Sequence, residues 1–219
     1  MKLRSIACAA AAVALVGAPA PAFAWGKTGH RVAASIADEH LSGLARAHVR
    51  EILGVETLDE AGTWPDEMRS DPSEFWQRTA NPWHYVTVGG FAYDDAPPEG
   101  DAVTALERFR ATLRDPAATK ADRELALRFI VHIVADLHQP LHVGRPGDRG
   151  GNDVKVKWFG RDTNLHAVWD SALVDEEQLS FTEWTERLHR HTSPQDVIAW
   201  WVENPLVWIS ESAQIRETI

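Results

Sequence analysis

The chain has 219 residues, which is enough for one domain with a sizeable core. Its formal net charge is −10 and no run of basic residues stands out, so non-specific binding to duplex nucleic acid through many lysine and arginine contacts is excluded. The single cysteine, Cys8, excludes a fold stapled by several disulfides.

The first 24 residues are typical of a secretory signal peptide. Lys2 and Arg4 precede a run of alanine, valine and leucine, and an Ala-x-Ala cleavage site ends at Ala24. The run is too short to persist as a membrane-spanning helix, so we expect no membrane anchor. Cleavage would leave residues 25–219 as one domain with a charge of −12, because Lys2 and Arg4 are removed. We therefore expect a bacterial protein that is periplasmic or secreted.

The processed chain would open with Trp25-Gly-Lys-Thr-Gly-His30. Trp25 would then carry a free α-amine, which in its neutral form can chelate a metal together with the adjacent carbonyl oxygen. The alternative is that Trp25 is only a hydrophobic anchor. His30 lies near the start of a helix with apolar periodicity, and Ser42 is predicted to cap a second helix that runs towards Leu53.

Two aromatic-rich segments follow, and each holds one candidate ligand. Pro65 is predicted at the first turn of a short helix, with Asp66 beside its N-terminus, although Asp66 could also be a solvated surface residue. His84 falls in a segment predicted to be extended. A histidine in such a segment is more often buried and hydrogen-bonded than bound to a metal. Residues 89–100 form a predicted loop, after which Asp101 caps a helix.

The strongest helical pattern covers residues 121–138. His132 and Asp136 are four residues apart in it, so a helix presents both on one face. Polar residues on a core-facing stripe are costly unless they are paired or bind a metal. Pro140 should end this helix and allow the chain to turn at His142.

Beyond a glycine-rich turn, alternating residues at 154–158 predict a short strand or hairpin. His166 then opens a helix in which Asp170 lies four residues on. Ser180 begins a capping box, and two prolines mark two further helices. The sequence stops at Ile219 within a helical pattern, so we expect the C-terminal end of the domain to be missing. These elements predict a mainly α fold, a single compact helical domain with at most one short β-hairpin.

A set of nine residues shares the ligand chemistry that zinc prefers, namely neutral nitrogen donors and carboxylates. They are Trp25, His30, Asp66, His84, His132, Asp136, His142, His166 and Asp170. A catalytic zinc commonly takes three protein ligands and leaves one position for water, so nine ligands predict up to three zinc ions. Three Zn²⁺ ions with three aspartates carry a local charge of about +3, which favours a polyanion such as a phosphate ester.

Together, the motifs WGKTGH, WPDEMR, WHYV, HIVADLHQPLH, GGND and HAVWD resemble the zinc-dependent, single-strand-specific nucleases of the S1/P1 type. The resemblance covers essentially all of residues 25–219. It implies a phospholipase C/P1 nuclease-like helical fold and a monomeric enzyme with three zinc ions. It also implies hydrolysis of single-stranded DNA and RNA to 5′-phosphorylated products, with 3′-nucleotides as further substrates.

The resemblance also implies a division of the ligands among the three zinc ions. The groups are Asp66, His84 and His132 for one ion; Trp25 and His30 for a second, with Asp136 bridging the two; and His142, His166 and Asp170 for the third. A hydroxide generated at the bridged pair would attack phosphorus in line, and the third zinc would stabilise the leaving 3′-oxygen.

Two further residues receive roles from the same resemblance, and a third is excluded as a ligand by its spacing. Arg69 would join Asp66 at the catalytic centre and stabilise charge on the phosphoryl group. Asn152 would line a pocket for the base or the phosphate. His138 lies only two residues from Asp136, so a helix would point it elsewhere, and we do not expect it to be a ligand.

Two alternatives remain open. A zinc phospholipase C would share the fold and the three-zinc site, but the spacing of Trp25 and His30 and the aspartate at position 170 favour the nuclease. A non-catalytic zinc-binding protein is the alternative from another class. Structural zinc sites usually close with four protein ligands, often cysteines, and nine ligands are too few to close three such sites.

Overall fold

The computed structural model describes residues 25–219, so the predicted signal peptide lies outside the described residues. No helix within residues 25–219 combines the length and the apolar character needed to cross a bilayer. The helices are α1 (Lys27–His40), α2 (Gly43–Leu53), α3 (Leu58–Glu67), α4 (Ala102–Arg114), α5 (Lys120–Leu137), α6 (Leu165–Ala167), α7 (Leu173–Asp175), α8 (Phe181–Arg190), α9 (Pro194–Trp200) and α10 (Pro205–Arg216). The strands are β1 (Val86–Thr87), β2 (Val143–Gly144), β3 (Lys155–Trp158) and β4 (Arg161–Asn164).

Side-chain caps begin the helices where the sequence predicts them. Ser42 accepts a hydrogen bond from the third residue after it, and Asp101 accepts two from the first turn of α4. Ser180 forms the predicted capping box with Glu183. At the other end of a helix, α5 stops at Leu137, shortly before the proline that was predicted to end it.

Two local predictions were wrong. The helix that contains Pro65 begins seven residues earlier, at Leu58, because Thr57 and Glu60 form a capping box there. Pro65 therefore lies in the last turn of α3 instead of the first. His84 ends a 3₁₀ turn that starts at Asn81, whereas the sequence predicted an extended segment.

The mainly α fold class is confirmed, with one hairpin formed by β3 and β4. Their antiparallel register pairs Lys155 with Asn164 and Trp158 with Arg161. The structure adds a parallel pair, β1 and β2, in which Val86 lies opposite Val143. Each of these two strands has two residues, which is too short for alternation to show in the sequence.

Helix α5 carries both residues of the hydrophobic core and the polar residues of interest. One side of α5 is apolar and packs against α4, with the rings of Phe129 and Phe109 stacked at 4.9 Å and Trp83 edge-on to Phe129 at 5.2 Å. Phe129 and Ile133 are fully buried. His132 follows Phe129 by three residues and Asp136 follows Ile133 by three, so both lie beside these core residues on the helix surface. His132 also bonds to the Gly62 carbonyl of α3, so one helix joins the core to the candidate site.

A buried arginine on α10 donates hydrogen bonds to the backbone of the parallel strand pair and of the residues that follow β1. Arg216 is 2% exposed, and its guanidinium donates hydrogen bonds to the carbonyl oxygens of Val143 at 2.6 Å, Gly144 at 3.0 Å and Val88 at 3.2 Å. It also donates to Gly90 at 3.0 Å. These carbonyls lie just beyond His84 and His142, so α10 fixes the segments that place both histidines.

We expect Arg216→Met to destabilise the fold. The variant keeps the aliphatic stem but removes the donors, which leaves buried carbonyl groups unsatisfied and costs roughly 2–4 kcal/mol in the free energy of unfolding. Denaturant unfolding measures this loss. The matched control is Arg78→Met, because Arg78 is exposed and its ion pair with Glu74 spans 3.9 Å, so it should unfold like the wild type. Equal unfolding midpoints for the two variants would show that the hydrogen bonds of Arg216 do not stabilise the fold.

Candidate metal centre

The carboxylate of Asp136 lies among four histidine side chains. Its Oδ2 is 3.1 Å from Nε2 of His132 and 3.4 Å from Nδ1 of His84. Its Oδ1 is 3.3 Å from Nε2 of His30 and 3.6 Å from Nδ1 of His142. All five residues are buried. They come from α1, α5 and the two turns that precede β1 and β2, so this grouping exists only in the folded chain.

Asp66, in the last turn of α3, faces the same histidines. Its Oδ1 is 3.8 Å from both Nδ1 of His84 and Nε2 of His132, and its Oδ2 is 3.9 Å from Nε2 of His30. Asp66 is therefore as close to His30 as to the two histidines with which the sequence grouped it. It is buried, so the reading of Asp66 as a solvated surface residue was wrong.

A second group adjoins the first. Nε2 of His166 is 2.9 Å from Oδ2 of Asp170, and Nε2 of His142 is 3.7 Å from Oδ1 of Asp170. The rings of His142 and His166 stack at 5.0 Å. Since His142 also contacts Asp136, the two groups are continuous.

The structure brings together all the predicted histidine and aspartate ligands. They form three groups, each with ligand atoms within 4.8 Å of one another, and the first two share His132: His30, Asp66 and His132; His84, His132 and Asp136; and His142, His166 and Asp170. Trp25 is half-buried beside them, and its indole Nε1 donates to the carbonyl oxygen of Ala135 at 3.0 Å. The residue that would carry the new N-terminus thus contacts the residue that precedes Asp136 in α5.

Backbone carbonyls fix the orientation of three imidazole rings. Nδ1 of His132 bonds to the Gly62 carbonyl at 2.8 Å, Nδ1 of His142 to the His84 carbonyl at 2.6 Å, and Nδ1 of His166 to the Gly150 carbonyl at 2.7 Å. A carbonyl only accepts, so each Nδ1 carries the proton. Each Nε2 is then turned towards a carboxylate, which is the arrangement found in metal-binding histidines.

Two of these carbonyls belong to glycines that the packing requires. A Cβ at Gly62 would lie 3.2 Å from Cβ of Ala34 and 3.3 Å from Cγ1 of Val131, so the glycine lets α1, α3 and α5 approach without crowding. Gly150 has φ +62°, and a Cβ there would collide with the carbonyl of Leu141. Both glycines therefore bring a carbonyl within reach of a histidine.

Several buried atoms of the cluster form no hydrogen bond, which tests whether the residues fit a metal. An unsatisfied buried polar group costs about 1–3 kcal/mol, so such a concentration needs compensation. The atoms are Nδ1 and Nε2 of His30, Oδ1 and Oδ2 of Asp136, Nε2 of His142 and Oδ2 of Asp170. Imidazole nitrogens and carboxylate oxygens turned towards one another, and left without protein partners, fit divalent cations such as zinc.

The cluster also shifts the pKa values of its own members. Burial lowers the pKa of His84 to about 4, although contact with Asp136 opposes this. Burial also tends to lower the pKa of His142, but Asp136 and Asp170 outweigh it and raise this pKa to about 9. Burial would raise the pKa of Asp136, yet His132 and His142 hold it well below its usual value. In the metal-free protein, protons on some histidines thus balance the buried carboxylates.

The remaining predicted residues lie around this cluster. Arg69 is partly exposed, and its Nη1 is 3.5 Å from Oδ1 of Asp66, so a guanidinium stands between the buried cluster and solvent. The side-chain amide of Asn152 donates a hydrogen bond to the Arg149 carbonyl at 2.9 Å. The same loop contacts His166, because the Gly151 carbonyl accepts a hydrogen bond from the His166 backbone N–H at 3.4 Å. His138 points away, its Nδ1 bonded to the Val134 carbonyl, as its exclusion predicted.

Sequence reasoning missed Gln139. This side chain is fully buried, and its amide bonds to the carboxylate of Asp170. The signal was present, since a glutamine between two histidines and before a proline lies within the densest motif of the chain. An amide is a weak zinc ligand, so zinc-ligand chemistry does not point to this residue.

Comparison with known proteins gives consistent matches. A family profile described as S1/P1 Nuclease matches residues 25–219. Endonuclease 4 of Arabidopsis thaliana is 29% identical over 90% of this chain and 70% of its own length. Nuclease S1 of Aspergillus oryzae is 31% identical over 70% of this chain, and Nuclease P1 of Penicillium citrinum is 28% identical over 67%.

The matched region spans a little over half of the two fungal nucleases, 56% of Nuclease S1 and 57% of Nuclease P1. The family profile, in contrast, covers every residue that the structure describes. It also includes all the histidines and aspartates gathered around Asp136. The chain therefore belongs to the S1/P1 nuclease family.

Proposed function

We propose that this chain is a zinc-dependent phosphodiesterase that hydrolyses single-stranded DNA and RNA to 5′-phosphorylated products and also accepts 3′-nucleotides. The observation that carries the proposal is the buried set of five histidines and three aspartates whose ligand atoms converge, several of them without a hydrogen-bond partner. Membership of a nuclease family supports phosphodiesters as the substrate class.

We assign three zinc ions to this cluster. Asp66, His84 and His132 would hold one ion, and Asp136, which is within 3.4 Å of His30, His84 and His132, would bridge to the next. The second ion would be held by His30 and by the amine and carbonyl of Trp25. The third ion would take its ligands from the group around Asp170, which are His142, His166 and Asp170 itself.

Zinc bound here would lower the pKa of water to supply a nucleophile at neutral pH and would neutralise charge on the phosphate. The protein's own contribution is to orient the ligands, through the three Nδ1–carbonyl hydrogen bonds, and to exclude water from around Asp136, which is fully buried. Arg69 would place a cation against the phosphoryl oxygens at the mouth of the site. Asp66 would hold that guanidinium while it binds zinc.

Asn152 and the surrounding surface would contact the rest of the substrate. The Asn152 side chain is held by the Arg149 carbonyl through its amide nitrogen, so its carbonyl oxygen is left to accept a hydrogen bond from a base. A cluster this deeply buried can reach a phosphate only if the strand bends and its bases separate, which a single strand does more readily than a duplex. We propose single-stranded substrates for that reason.

The comparisons favour a nuclease over a phospholipase. The relatives of this chain from plants and fungi carry names of nucleases and endonucleases. A phospholipase C remains the second candidate only because the same metal site could serve both reactions, and no observation in the structure favours it. We further propose a monomer that is exported to the periplasm or secreted after removal of residues 1–24.

The first test of this function is Asp136→Asn, which removes the bridging charge and leaves the volume unchanged. We expect the variant to lose bound zinc and to cleave single-stranded DNA at least about 100-fold more slowly than the wild type. Elemental analysis and a cleavage assay on the same sample measure both effects. The control is Asp122→Asn, an exposed aspartate at the opposite end of α5, which should match the wild type in both assays.

Two results would contradict the proposal. Unchanged zinc content and cleavage in Asp136→Asn would mean that this carboxylate holds no metal. Zinc-loaded wild-type protein that hydrolyses phosphatidylcholine but not single-stranded DNA would identify the phospholipase instead.

The pH dependence of zinc binding provides a second prediction. With a pKa of about 9 in the metal-free protein, His142 is protonated at pH 7 and must lose its proton to bind zinc. We therefore expect zinc affinity to rise with pH from about 6 to 9, with at least about one proton released per chain at pH 7. Calorimetric titrations in two buffers that differ in ionisation enthalpy measure the release. Binding heats that do not depend on the buffer would contradict the prediction.

A further inference from the structure

One buried side chain joins the two halves of the metal centre without being a ligand itself. Gln139 lies just beyond the end of α5 and is 0% exposed. A buried amide needs partners for both its donor and its acceptor. Here Nε2 donates to Oδ1 of Asp170, and Oε1 accepts from the backbone N–H of Leu141.

The backbone of Gln139 contacts the other half of the centre. Its N–H donates to the carbonyl of Asp136 at 2.9 Å, and its carbonyl accepts from the N–H of His142 at 2.9 Å. One residue thus contacts Asp136, His142 and Asp170, which belong to both halves of the cluster. No other described side chain outside the ligand set bonds to the carboxylate of Asp170.

We propose that Gln139 is a positioning residue that sets which oxygen of Asp170 faces the third zinc ion. The inference rests on the proposed zinc site. Because the amide occupies Oδ1, the other oxygen, Oδ2, remains without a hydrogen bond and lies 2.9 Å from Nε2 of His166. The terminal torsion of an aspartate is broad and two-fold, so a fixed donor is needed to hold one orientation.

The choice of an amide is consistent with this role. An amide donates a hydrogen bond without adding a charge, so it fixes Asp170 and leaves the negative charge available to the metal. A glutamate at this position would place a second carboxylate against Asp170. An apolar side chain would leave Oδ1 buried without a partner.

Two substitutions separate the contact with Asp170 from the contact with Leu141. Gln139→Met removes both contacts and keeps the length of the side chain. Gln139→Glu keeps an acceptor for the Leu141 N–H but replaces the donor that faces Asp170, and the nearby zinc ions should keep the new carboxylate ionised. We expect both variants to bind one of the three zinc ions about 10–100-fold more weakly than the wild type, with the other two ions retained.

The measurement is zinc retained per processed chain against a graded chelator, together with the visible spectrum of the cobalt-substituted protein. Cobalt reports the geometry of the ligands, so the spectrum should change in both variants. The control is Ser212→Ala, which removes another buried hydrogen bond close by, from Oγ to the Leu137 carbonyl at 2.7 Å. It should keep all three zinc ions and the wild-type spectrum, even if it unfolds at a lower temperature.

The possible results are distinguishable. Wild-type protein that binds no zinc would overturn both the proposed function and this inference. Wild-type zinc binding in Gln139→Met would overturn the inference and leave the proposed function intact. Wild-type zinc binding in Gln139→Glu, with weaker binding in Gln139→Met, would assign the effect to the Leu141 contact and would also overturn the inference. Weaker zinc binding in Ser212→Ala would show that a general loss of packing weakens zinc binding, and it would overturn the inference as well.

Discussion

The rest of the structure depends on one interaction, the contact of the buried Asp136 carboxylate with four imidazoles. A charge removed from water must be compensated by opposite charge or by a metal, and this compensation has to be present in the folded chain. Four separate segments deliver the histidines to within 3.6 Å of Asp136. The packing of α1, α3 and α5, with glycine at position 62 where the helices meet, follows from this requirement.

The groups around the cluster fix the positions of its side chains without being metal ligands themselves. Backbone carbonyls accept hydrogen bonds from Nδ1 of three histidines, and Gln139 donates one to an oxygen of Asp170. Arg216 binds the backbone of the strands that follow His84 and His142. The contacts with the histidines and with Asp170 leave Nε2 of each ring and Oδ2 of the aspartate turned into the cluster. A site of this kind is rigid before a metal binds, so little ordering is required when the metal enters.

Much of the site could be predicted from the sequence, because His132 with Asp136 and His166 with Asp170 are spaced for one helical face. Capping residues predicted several helix ends for an equally local reason. The position of Pro65 and the 3₁₀ turn at His84 were wrong because local rules compete, and a capping box outweighs a proline signal. The β1–β2 pair, the Gly62 carbonyl and the role of Gln139 depend on distant contacts, which spacing in one sequence does not encode.

The central claim is that this cluster exists to bind about three zinc ions and cleave nucleic acid. The most direct test is elemental analysis of metal per processed chain, with hydrolysis of single-stranded DNA assayed on the same sample before and after chelation. The account predicts close to three zinc ions, with cleavage that chelation abolishes and added zinc restores. One zinc ion or none, or cleavage that survives complete removal of the metal, would contradict it.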